Sequence, residues 1–100
     1  MKNRIISSAN KKILFLPHAI KQMSHPDRMI TSNEIREAVL SGEIIEEYLN
    51  DQRGESCLVL YTKQKRTIHV VCAPKSEYLA IITAYLPATD QWSPDYKFRR

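Results

Sequence analysis

Thr67-Ile68-His69-Val70-Val71-Cys72-Ala73, a turn at Pro74 to Tyr78, then Leu79-Ala80-Ile81-Ile82-Thr83-Ala84-Tyr85: this stretch decides the fold. Both arms are rich in β-branched residues and are bounded by turn formers, the signature of two antiparallel strands. A symmetric loop between them pairs Ala73 with Leu79, Val71 with Ile81, His69 with Thr83 and Thr67 with Tyr85, because opposed residues point to one face. On that register Ile68, Val70, Cys72, Ala80, Ile82 and Ala84 form an apolar face. Thr67, His69, Thr83 and Tyr85 form the other.

Working outward, a turn at Lys63 to Arg66 joins this hairpin to a strand over Ser56 to Thr62, with Leu60 opposite His69 and Cys57 opposite Cys72. A connection at Asn50 to Glu55 leads back to a strand over Ile44 to Leu49. Ahead of the sheet, Pro17 opens a helix carrying Ala19, Ile20 and Met23 on one stripe, and His25-Pro26-Asp27 ends it. Thr31-Ser32-Asn33-Glu34 has the form of a capping box, and Ile35, Ala38, Val39 and Leu40 give the following helix its apolar stripe before Gly42 stops it. The expected fold is α+β, with two N-terminal helices on one face of an antiparallel four-stranded sheet. Residues 1–12 read as a flexible, irregular basic arm, residues 13–16 as a short strand or helix approach, and residues 13–100 as one domain. The closing stretch from Pro87 reads as loop.

A chain of 100 residues is the size of a single domain, and its 43% hydrophobic and 26% charged residues match globular usage, which excludes wholesale disorder. No apolar run approaches the roughly 20 residues of a membrane span. No secretory signal is recognisable, so the expected location is the cytoplasm. Cys57 and Cys72 lie outside any CxxC spacing and read as packed thiols rather than a zinc site. The net charge of +4 is unevenly spread. Residues 1–33 hold six Lys/Arg against one acid, residues 34–55 two against seven, and residues 56–100 seven against three. The acidic middle lacks the Asp/Asn alternation of a calcium loop and reads as a solvated strand edge.

His69 admits two readings. It is either a structural histidine bonded to backbone or, beside a phenol and hydroxyls on one strand face, part of an acid/base pair. Tyr85 likewise reads as an edge aromatic or as its partner. His18 alone is a surface residue, and His25 is a turn former. Lys63, Lys65 and Arg66 in a hairpin suit either solubility or phosphate contact. Trp92, Arg99 and Arg100 mix an aromatic ring with cations near the end of the chain.

Taken together, His18-Ala19 with Met23, Arg28, the Glu43-to-Tyr48 stretch, His69-Val70-Val71, Ile82 to Pro87, Trp92 and the closing arginines resemble a small prokaryotic family labelled domain of unknown function 4258. The resemblance covers roughly residues 15–100. Where the family's helix usually reads His-Ala, two residues, then Arg-Met, this chain has Gln22 before Met23, which leaves Arg28 or Lys21 to supply that cation. That family is similar to RelE/ParE-like toxins, whose fold packs N-terminal helices on an antiparallel sheet and whose RNase members need no metal. The resemblance implies a toxin of a type II toxin-antitoxin system, a metal-independent endoribonuclease acting on single-stranded RNA or mRNA without a cofactor, and a zinc-finger-type antitoxin as partner. Such chemistry needs a base, an acid and a cation on the phosphorane. His69, Tyr85 and His18 are the candidates for proton transfer, Arg28, Arg66 and Arg99 for phosphate, and Trp92 for stacking a base. The alternatives are a RelE-fold module that binds protein without catalysis, or a nucleic-acid binder without turnover.

Overall fold

Local chemistry starts two of the helices as expected. Pro17 supplies the φ a first helical turn needs, and α2 runs Pro17–Met23. Thr31 accepts from the Glu34 backbone N–H at 3.1 Å, while the Glu34 carboxylate accepts from the Thr31 N–H at 3.0 Å. This reciprocal cap begins α3, Ser32–Ser41. Gly42 ends it for a steric reason: a Cβ there would lie 2.5 Å from the Ala38 carbonyl and 2.7 Å from that of Leu60.

A computed structural model describes residues 1–52 and 54–100; Arg53, within the expected Asn50–Glu55 connection, lies outside them. The fold is α+β, with three helices and five strands among the described residues. The strands are β1 (Ile13–Phe15), β2 (Glu43–Tyr48), β3 (Ser56–Lys63), β4 (Arg66–Pro74) and β5 (Leu79–Tyr85), in sheet order β1-β5-β4-β3-β2. The antiparallel meander β2 to β5 is as expected, and so is the β3–β4 register, with Cys57 opposite Cys72 and Leu60 opposite His69. The fifth strand is a correction: β1 adds to the edge of β5 in parallel.

The first twelve residues are a second correction. Lys2–Lys11 form a helix, α1, that buries Ile5, Ser8 and Ala9. The Ser8 hydroxyl donates to the Lys75 carbonyl at 2.6 Å, so the helix is tied to the β4–β5 turn as well as to the core. All three helices cover one sheet face, where Ile5, Ala19, Ile35 and Val39 pack against Val59, Ile68, Val70, Cys72, Leu79, Ile81 and Ala84.

The hairpin register differs from the symmetric one. His69 pairs with Tyr85, Val71 with Thr83, Cys72 with Ile81 and Ala73 with Ala80, which leaves Ile82 without a partner on β4. This β-bulge reverses the faces below it. Leu79 and Ile81 take the helix side in place of Ala80 and Ile82, which pack with Ala73, Leu16, Val71 and Tyr78 on the other side. Above the bulge, Thr83 and Tyr85 stay beside His69 as expected. A second bulge, at Ile45, sets Ile44 opposite Val59 and Glu46 opposite Leu58. It turns Glu46 and Tyr48 away from the helices.

Candidate active site

The second sheet face is covered by the chain's own end, not by solvent. Trp92 and Arg99 form an isolated bridge closed by a turn over residues 93–98, and the segment reaches from His69 on β4 to Glu43 and Glu46 on β2. Its anchor is electrostatic. Lys97 pairs with Glu43 at 3.1 Å, and Arg99 grips both carboxylate oxygens of Glu46 at 2.9 and 3.1 Å. The acidic β2 edge is therefore neutralised in part by the basic tail. Arg99 beside Glu46 holds that carboxyl below its usual range, whereas burial and the same carboxylate push the Tyr48 phenol up to about 12.

Beneath the tail lies His69, fully enclosed at 0% exposure. Its Nε2 is 2.9 Å from the Tyr96 carbonyl, which can only accept, so Nε2 carries the proton. Nδ1 of the neutral ring then accepts from the Tyr85 hydroxyl at 3.3 Å. Burial lowers the His69 pKa, opposed by the Tyr96 bond and Glu46, and burial raises that of Tyr85. Both groups are thus held neutral at pH 7. Tyr96 reaches its position with φ at 62°, a left-handed backbone that favours glycine.

Trp92 and Arg99 depart from their expected roles. Trp92 is 3% exposed, its ring edge-to-face with His69 at 4.5 Å and stacked under the Arg99 guanidinium at 4.7 Å, so neither face is open to a base. Arg99 is engaged by Glu46 as well as by that ring. Arg66 is also committed: it pairs with Glu34 at 2.9 Å and donates to the carbonyls of Arg28 and Met29, fixing the loop before α3.

His18, Arg28 and Tyr85 do come together. With Gln22, Thr83 and Gln91 they line an open depression of about 480 Å³ at the upper end of β5. His18 arrives from the first turn of α2, Arg28 from the loop held by Arg66, and Tyr85 from the strand end, with His69 behind it. An imidazole, a phenol and a guanidinium around one open space have the chemistry to transfer protons and to hold an anion. Gln91 joins them from the tail and carried no signal in the sequence, because its position depends on the tail folding back. Among the described residues no three His, Cys, Asp or Glu side chains converge as a metal site, and no helix is long and apolar enough to cross a membrane.

No curated protein and no solved structure matches the chain. A family does match, described as Domain of unknown function (DUF4258), over residues 15–86, which include α2, α3, β2 to β5 and both His18 and Tyr85 but not α1, most of β1 or the tail. The match spans most of the chain, and the protein belongs to that family.

Proposed function

We propose that the protein is a metal-independent endoribonuclease with a RelE/ParE-like fold, acting as the toxin of a toxin-antitoxin pair. The observation that carries the chemistry is the convergence of His18, Arg28 and Tyr85 on one depression, with a buried neutral His69 bonded to the Tyr85 hydroxyl. Support for the fold reading is the placement of α2 and α3 before the meander, on one face of it.

In this reading the RNA 2′-hydroxyl loses its proton to His18 and attacks the adjacent phosphorus. The bond to the 5′-oxygen breaks, and Tyr85, a phenol that burial keeps protonated, gives that oxygen its proton. Arg28 neutralises the phosphorane. His69 is enclosed and acts as a positioning residue that orients the Tyr85 hydroxyl. The products are a 2′,3′-cyclic phosphate and a 5′-hydroxyl.

Cleavage of single-stranded RNA by the purified chain in EDTA, with a cyclic phosphate end and complete block by a 2′-deoxy substitution at the cut site, tests the proposal. Tyr85→Phe and His18→Ala should each slow cleavage by about 10²-fold or more, the scale of a lost proton-transfer group. His18→Ala should melt as the wild type does, while Tyr85→Phe, which leaves the buried His69 Nδ1 without its donor, should stay folded at a modestly lower melting temperature. Wild-type rates in Tyr85→Phe, or activity only with magnesium, would overturn it. Induced expression should arrest bacterial growth, and a zinc-finger-type antitoxin protein should relieve the arrest. The enclosure of His69 favours one other reading, a module that binds RNA or protein without turnover; it predicts retained affinity in both variants and no cleaved product.

A further inference from the structure

Four non-glycine residues among those described hold a positive φ: Met29 at 47°, Gln64 at 53°, Lys65 at 67° and Tyr96 at 62°. Two of the four, Lys65 and Tyr96, line one groove, while Gln64 and Met29 are chain neighbours of residues that line it or the adjoining depression. Lys65 and Tyr96, with Arg66, Thr67, Leu86 and Pro87, line a depression of about 390 Å³. Leu86 also lines the His18–Arg28–Tyr85 depression, so the two are neighbours across that side chain. Gln64 precedes Lys65, and Met29 follows Arg28, its carbonyl held by Arg66. Left-handed backbone at non-glycine residues is costly and collects where a side chain has to be presented.

Gln64 and Lys65 are the two central residues of the β3–β4 hairpin, between the paired Lys63 and Arg66. Positive φ at both is the pattern that Asn-Gly or Asp-Gly satisfies most easily, yet this turn carries an amide and an ammonium. The hairpin's three cations differ in their company. Lys63 is bound to Glu37 and Arg66 to Glu34, while the Lys65 ammonium has no ion-pair or hydrogen-bond partner among the described residues. The Arg28 guanidinium across Leu86 is equally without an acid partner among the described residues. Neither depression is lined by an aspartate or a glutamate.

The geometry points to a second phosphate subsite at Lys65, so that the groove takes a single-stranded polynucleotide with one phosphate at Arg28 and the next beyond Leu86 at Lys65. This rests on the proposed RNA substrate and extends it from one phosphodiester to a strand crossing the Leu86 ridge. The strained turn holds the ammonium at the groove, where a relaxed Asn-Gly turn would offer none.

Lys65→Gly, Lys65→Gln and Gln64→Gly in the full chain, with an eight-nucleotide single-stranded RNA made uncleavable by 2′-deoxy substitution, separate turn shape from charge. Both glycine variants should melt higher, by about 3 °C, as strain is relieved. Both Lys65 variants should bind the RNA about fivefold more weakly and lower the log–log salt slope by about 0.7, one single-strand phosphate contact. Gln64→Gly should bind as the wild type does. Unchanged affinity and slope in Lys65→Gln, or equal losses in Gln64→Gly, would overturn the subsite. So would displacement of the RNA by poly-glutamate at matched charge concentration, which would make the groove a site for acidic protein. Cleavage is scored separately on unmodified RNA: a chain that binds with the expected Lys65 slope but never cuts breaks the proposed reaction and leaves the subsite standing.

Discussion

The two faces of the sheet are closed by different means. The helix side is closed by an apolar core, with Ile5, Ile35, Val39, Ile68, Ile81 and their neighbours excluded from water. The tail side is closed by a satisfied polar network of His69, Tyr85 and the Tyr96 carbonyl, with Trp92, Arg99 and Glu46 around it. Apolar burial is non-directional and supplies stability; the polar network is directional and fixes where Tyr85 points. The proposed chemistry sits where the second face opens, at the end of β5.

Truncation should separate the faces most strongly. Ile81→Ala removes atoms from the centre of the helix side and should cost about 3–4 kcal/mol, in the upper part of the range for such deletions, read as a lower urea midpoint at constant m. Trp92→Ala should cost about 2 kcal/mol, below the usual range for a buried tryptophan, because the tail can lift and admit water. A cost for Trp92→Ala as large as that for Ile81→Ala would mean that the tail face is a second core and the contrast false.

The same contrast explains what could be read from the sequence. The helix side follows from local signals: Pro17, the Thr31–Glu34 cap and the runs of β-formers bounded by turn residues in β3 and β4 all point one way, and the β3–β4 register emerges intact. The failures share a tertiary cause. Lys2–Lys11 has few large apolar residues, Ile5 and Ile6 among Lys, Asn, Arg and Ser, and its helix gains from the Ser8–Lys75 bond that no local pattern announces. The bulges at Ile82 and Ile45 replace one β-former by another of the same type, so composition is silent on them. His18, Arg28 and Tyr85 were legible as residue types. The surroundings of Trp92 and Arg99 are not legible in the sequence, because their partners, His69 and Glu46, are brought to them only by a tail that folds back.

Acid should loosen the tail face first. Burial lowers the His69 pKa below its ordinary 6.5, so the unfolded chain binds the proton more readily than the folded one. The His69 contribution is complete above pH 6.5 and is lost as pH falls through that value toward the folded-state pKa. Glu46, whose pKa is lowered chiefly by Arg99, loses its contribution only further down, as pH drops below its ordinary 4.5. Urea midpoints between pH 7 and pH 5 should fall in the wild type and fall less in His69→Gln. Equal slopes would assign the acid sensitivity to other groups.

The smallest effect expected is at Arg99. Its pairing with Glu46 is bidentate, but the arginine side chain is 61% exposed, so solvent screening keeps the pair near 0.5–1 kcal/mol, about what surface bridges yield. A double-mutant cycle of Arg99→Ala with Glu46→Gln should return a coupling of that size, shrinking with added salt. The functional side of this variant matters more than its stability. Arg99 spends its charge on Glu46 and the Trp92 ring, whereas the Lys65 ammonium has no acid beside it. Arg99→Ala should therefore leave the RNA salt slope as in the wild type, while Lys65→Gln lowers it. A slope reduced in Arg99→Ala by a full phosphate contact would show that RNA displaces Glu46 and that the tail opens when it binds.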